Sequence, residues 1–154
     1  MRATQVVKGR EFVVAFDEGE DFFPALGQFC AEHGIRSGYI PVLLGGFRSA
    51  RLVGTCGPLE NPDAPLWDSV QVEFLEACGS GTLAWDPDND SVAPHIHLSA
   101  GLKGDQAHGR TSHLLKGTVQ FINELVVVEI VKPNLIRPRR TDLYNVPLLA
   151  FDED

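Results

Sequence analysis

The stretch Pro94-His95-Ile96-His97-Leu98-Ser99 alternates outward-type and core-type side chains without a break. On a β-strand, residues i and i+2 leave the same face. His95 and His97 therefore point one way and Ile96 the other, which predicts a strand over 92–100. A third histidine follows in Ser112-His113-Leu114-Leu115, after a polar, Gly-containing segment at 101–109. A hairpin return would carry His113 onto the face that holds His95 and His97. Three imidazoles with room for a fourth ligand are the donor set of an open divalent-metal site. Positions i and i+2 separate Cβ atoms by about 6.5–7 Å, a span that two imidazoles can bridge onto one ion. The spacing leaves a second reading open, in which the histidines hydrogen-bond within a polar core or line a subunit axis.

The rest of the chain supplies strands to build around this one. Residues 5–16 read as one strand, or two joined through Gly9. Two strands are expected near 39–45 and 47–55, with Gly45-Gly46 as a turn between them, although a double glycine also serves a bulge or a close backbone approach. The loop at 57–66 holds three prolines. In WDSVQVEFLEAC, strict alternation puts Val70, Val72 and Phe74 on one face and Gln71, Glu73 and Leu75 on the other. After the break Gly79-Ser80-Gly81, a short strand starts at 82–85, and Asp86-Pro87-Asp88-Asn89-Asp90 reads as a hairpin tip. TVQFINELVVVEIVK, at 118–132, is the longest β signal, and its Val126-Val127-Val128 run predicts burial on both faces. A final strand is expected over 143–151, before a solvated acidic tail of Asp152, Glu153 and Asp154.

One segment reads as helix. Phe22, Leu26, Phe29 and Cys30 fall at i, i+4, i+7 and i+8, an apolar face over 22–33. Asp21 stands at the N-cap, Pro24 in the first turn, His33 in the last turn and Gly34 at C′. His33 reads as a helix-end residue facing the dipole rather than as a ligand. Many strands, one clear helix at 22–33 and room for one further short helix, without regular βαβ alternation, predict an α+β fold. Its sheet is expected to be mainly antiparallel, of about seven strands, in a single compact domain over 1–154.

Composition narrows the function classes. With 13 basic and 21 acidic residues, the net charge of -8 opposes binding to phosphate backbones. The single basic cluster, Arg137-Pro138-Arg139-Arg140, has no interleaved aromatics and reads as a solvated or intersubunit segment. Cys30, Cys56 and Cys78 form no CxxC pair and read as reduced, partly buried thiols of a cytoplasmic protein. The first residues lack the apolar core of a signal peptide, and no run approaches the roughly 18 apolar residues of a membrane span. Neither a phosphate-binding glycine loop nor a GxSxG elbow is present. A cupin would place a Glu soon after the H-x-H strand, and LSAGLKGDQ has none. His108 and Asp105 are accessory candidates near the histidines, and both also read as ordinary exposed loop residues.

Taken in order, GEDFFPALGQFCAEHGIRSGYI, the Gly45-Gly46 region, VEFLEACGSGTLAW, PHIHLSAG and SHLLKGTV resemble the plants-and-prokaryotes-conserved (PPC) domain, over roughly residues 10–150. That resemblance implies an α+β homotrimer whose His95, His97 and His113 match a family metal site, with zinc as the expected ion. The family commonly carries Gly before the third histidine, where this chain has Ser112. Plant relatives bind DNA through a separate Arg-Gly-Arg-Pro core that this chain lacks, so nucleic acid is an unlikely partner on these residues. The expected function is metal binding with a regulatory or small-molecule-binding role, and a small molecule or anion as the remaining ligand. Two alternatives stand beside it. One is a metal-dependent hydrolase drawing its base from Glu129, Asp105 or His108; the other is a DNA-associated protein by family analogy alone.

Overall fold

The computed structural model of the chain describes residues 1–53 and 68–152. The readings of the loop at 57–66, of Cys56 and of the tail beyond Asp152 lie outside the described residues. The ordered elements are β1 (Val7–Asp17), α1 (Phe22–His33), β2 (Gly38–Val53), β3 (Ser69–Asp86), β4 (Ser91–Leu102) and β5 (Gly109–Lys132). They are followed by β6 (Asn134–Ile136), β7 (Arg139–Arg140), β8 (Val146–Pro147) and β9 (Ala150–Asp152). Seven strands form one mostly antiparallel sheet, and β7 pairs with β8 apart from it.

The sheet is not open, as a mainly antiparallel α+β layer would be. Strands run β1-β5-β2-β3, and β4 pairs with both β3 and β5. The ring β5-β2-β3-β4-β5 therefore closes into a barrel, which removes the unpaired edges that an open sheet would expose. Closure occurs along His97↔His113 to Gly101↔Gly109, so the histidine segment is the seam of the barrel. Inside lie Leu43, Phe47, Leu52, Leu75, Ile96, Leu98 and Leu114, each almost wholly buried. Helix α1 adds Phe22, Leu26 and Cys30 to the same core, matching the expected apolar face. Its C-terminus is closed by Gly34 in the left-handed conformation, whose N–H donates to the last-turn carbonyls. Asp21 is the N-cap residue, but its carboxylate accepts from Thr118 rather than from the helix. α1 is the one α-helix among the described residues; the second is reduced to a 3-10 turn at Thr141–Leu143.

Three strand readings change, the first two because a barrel must bend its strands. β2 is one strand through Gly45-Gly46, not two around a turn. The partner strand carries the irregularity: Gly45 pairs with Asn123 but Gly46 pairs with Gln120, leaving Phe121 and Ile122 as a bulge. At Gly45, φ is +145° and a Cβ would stand 2.2 Å from the Ile122 carbonyl oxygen, so the close-approach reading of this glycine holds. β3 is likewise continuous through Gly79-Ser80-Gly81. Within it, Phe74 takes φ +52°, which rotates the strand out of phase. Leu75 consequently joins Val72 in the core while Phe74 faces solvent. Finally, 143–151 is a turn followed by two short strands rather than one strand.

Candidate metal centre

β4 alternates as expected. Ile96 and Leu98 point inward and are buried, while His95 and His97 face outward. Register supplies the third imidazole, since His97 lies directly across from His113 where β4 meets β5. On the other side Ser80 pairs with His97 and Thr82 with His95. The backbones of β3 and β4 are pressed close here: a Cβ on Gly81 would lie 2.6 Å from the His95 carbonyl oxygen. Gly81 thus lets β3 support the histidine strand without pushing it outward.

The three rings face one another. Centroid separations are 5.0 Å for His95–His97, 4.7 Å for His95–His113 and 5.3 Å for His97–His113. One nitrogen from each ring falls in a cluster spanning no more than 4.8 Å, and Nε2 of His95 stands 3.0 Å from Nε2 of His97. Ligand atoms around a tetrahedral ion with bonds of roughly 2.0–2.1 Å lie about 3.3 Å apart. Small side-chain rotations would close the set onto one ion, and the donor type suits zinc.

Partial desolvation favours the neutral form that a metal needs at His95 and His113. Desolvation pushes His95 down to about 4, helped by the charge of Arg137 and by His113 and His97. His113 is lowered by desolvation, then by His97 and Arg137. The sign follows directly: a folded-state value below the unfolded value near 6.5 means that the unfolded chain takes up protons first as pH falls. Metal-free protein should therefore lose stability as pH falls from about 6.5 to about 4. Glu129, held down at about 2 chiefly by its hydrogen bond from Arg10, stays charged throughout that window. Urea melts of the metal-free protein across this range check the expectation, and a flat profile would contradict it.

One participant escapes the sequence reading. Arg137 is 4% exposed, not solvated, and sits under the histidines. Its Nε donates to the Ala93 carbonyl at 3.1 Å, Nη2 donates to the Thr82 hydroxyl, and Nη1 lies 3.4 Å from Nδ1 of His95. The signal for it was present: Arg137 follows the buried Leu135 at i+2, so strand alternation aims it inward. Its neighbours Arg139 and Arg140 meet Asp88 and Asp142 of the same chain, so the basic cluster does not form a free patch.

The accessory candidates fall elsewhere. Asp105 and His108 form the exposed turn between β4 and β5, where the His108 N–H donates to the Asp105 carbonyl at 2.7 Å. That turn lies beyond Gly101↔Gly109, at the far end of the hairpin from His97↔His113. Glu129 is engaged by Arg10 through paired hydrogen bonds of 2.8 Å. His33 ends α1 with its ring against Phe12 and Phe29. Cys30 is buried, with its thiol pushed up to about 11 by desolvation, and Cys78 is exposed. No helix among the described residues is long and apolar enough to cross a membrane.

Comparison with known proteins gives a consistent picture. The model of the Plants and Prokaryotes Conserved (PCC) domain matches residues 3–131. No curated protein sequence matches the chain. Among solved structures, a plant- and prokaryote-conserved protein of Pyrococcus horikoshii superposes with a TM-score of 0.81 at 19% identity, covering 97% of both chains. A metal-containing protein of Archaeoglobus fulgidus superposes with a TM-score of 0.79 at 22% identity, covering 97% of this chain and 99% of the other. At these identities the likeness is one of fold.

Proposed function

The chain belongs to the Plants and Prokaryotes Conserved domain family, and on that premise we propose that it is a homotrimeric metal-binding protein with a regulatory or small-molecule-binding role. His95, His97 and His113 hold one divalent ion per subunit, with zinc as the ion that this donor set suits best. The observation that carries the reading is the convergence of three ring nitrogens within 4.8 Å at the barrel seam. The metal-containing relative from Archaeoglobus fulgidus supports it. A bound divalent ion supplies Lewis acidity at its open position. The chain's own residues do the rest: three imidazoles bind, while the Arg137 guanidinium, held by the Ala93 carbonyl and the Thr82 hydroxyl, lies beneath His95.

Binding is favoured over hydrolysis because the groups a hydrolase would draw on as base are placed away from the histidines. Asp105 and His108 are at the hairpin turn, and Glu129 is tied to Arg10. The trimer reading draws support from the outer face. Val13 is 85% exposed, and Val13↔Val126 carry an apolar row from β1 to β5. An apolar row of this kind is suited to a subunit contact. Val127 and Val128, in contrast, are already buried within the subunit. Metal analysis and light scattering on protein purified without chelator test both parts. About one ion per chain, at three times the chain mass, is expected. Protein that binds no zinc even on addition would sink the metal centre, and a monomeric mass would sink the trimer.

A further inference from the structure

Beside the histidines, the outer face of the barrel carries a groove of about 520 Å³. Its floor follows from register. One row across the strands is Ser80, His97 and His113, and the next is Leu44, Cys78, Ser99 and Thr111. Ser99 and Thr111 share a hydroxyl hydrogen bond of 3.0 Å. Val42 and Leu44, both substantially exposed, wall the far side. The groove therefore grades from imidazoles through hydroxyls to an apolar wall.

The charge beneath it is unbalanced. Arg137 is buried, and among the described residues no carboxylate pairs with it. The metal cluster itself consists of histidines alone. With a divalent ion held by three imidazoles beside a guanidinium, every charge that the described residues place at the centre would be positive. A buried charge needs a counter-charge or it is costly. Among the described residues none supplies that counter-charge, and an anionic ligand at the open position would.

We propose, resting on the metal reading above, that this centre binds a small monocarboxylate with a short aliphatic chain. The carboxylate takes the position open beside the histidines, and the chain runs along the groove towards Val42 and Leu44. A carboxylate is favoured over phosphate because, among the described residues, Arg137 is the one cation in contact with the histidines, and the groove ends on an apolar wall. Arg137 is the positioning residue that selects it. A metal-bound histidine ordinarily donates its second N–H to an acceptor. Here Nδ1 of His95 faces a donor instead. The guanidinium thus acts against the cation and in favour of the anion.

Those opposite signs make the test. Protein loaded with cobalt(II) is titrated with acetate, butyrate, hexanoate, hexanamide and inorganic phosphate, following the visible cobalt bands. Carboxylates should perturb the bands, with affinity rising about threefold per methylene. Hexanamide and phosphate should bind far more weakly than hexanoate. Arg137→Gln should take up cobalt about tenfold more tightly, yet bind hexanoate about tenfold more weakly. A variant that merely loosened the fold would weaken both. Arg137→Lys, which keeps the charge, should retain carboxylate binding. Leu44→Ser should remove the chain-length increment and spare acetate. Cobalt bands that carboxylates leave unmoved, or hexanamide or phosphate binding as tightly as hexanoate, would overturn the ligand assignment while leaving the metal centre standing. Failure to bind cobalt at all would overturn the metal centre, and this inference with it.

Discussion

Replacing His95 and His97 together by alanine should yield a folded protein that carries no stoichiometric metal. Both side chains lie on the outer face of β4, and the inward Ile96 and Leu98 that anchor the strand are untouched. One imidazole cannot hold a zinc ion at micromolar concentration, so the loss should be complete rather than graded. The matching signature is thermal. A ligand present at about 100 times its dissociation constant stabilises the folded state by ~2.7 kcal/mol. For a chain of this size that is a rise in Tm of roughly 5–10 °C. Zinc should raise the Tm of the wild type by that amount and leave the double variant unmoved. Equal zinc content in the two proteins would remove the histidines from the role proposed for them.

The second large effect is expected at Gly45, far from the histidines in sequence but in the same barrel. A Cβ there would sit 2.2 Å from the Ile122 carbonyl oxygen and 2.8 Å from Cα of Asn123, both backbone atoms of the paired strand. Neither can step aside without opening the β2–β5 ladder. The φ of +145° adds a strain that an alanine cannot relieve. The neighbouring Asn123 side chain, fully buried, donates to the Gly46 carbonyl at 2.7 Å and would be displaced too. Gly45→Ala should therefore cost about 3–5 kcal/mol, seen as a fall in Tm of roughly 10 °C or more. Gly27→Ala is the contrasting case. Gly27 lies within α1, where an added Cβ meets nothing within 4 Å. That change should stabilise by about 0.5–1 kcal/mol. Equal melting of the Gly45 variant and the wild type would refute the close-approach account of this position.

Local periodicity carried a long way here. The alternation in Pro94–Ser99 correctly set His95 and His97 on one face and Ile96 on the other, because a strand's two faces are set by its own backbone. The 3.6-residue spacing of Phe22, Leu26 and Cys30 placed α1 and its buried face, with Gly34 ending it, for the same local reason. His113 required one further assumption, a hairpin return, and the register His97↔His113 shows how direct that return is. The phase slip at Phe74 was hidden because positive φ at a bulky residue is imposed by neighbours, not encoded in hydrophobic pattern. Gly45-Gly46 was ambiguous for a related reason: a glycine needed for a turn and one needed for a close approach read alike until the partner strand is known.

What lay within the residues, then, was the element types, the two faces of β4 and the buried face of α1. These are matters of neighbours a few positions apart. Barrel closure, the bulge at Phe121 and Ile122, and the arrival of Arg137 beneath His95 depend on which strands meet, across separations of 42 residues for the His95–Arg137 contact. No local pattern encodes which strand will pair with which. That pairing drew three outward imidazoles together and set the buried Arg137 behind them.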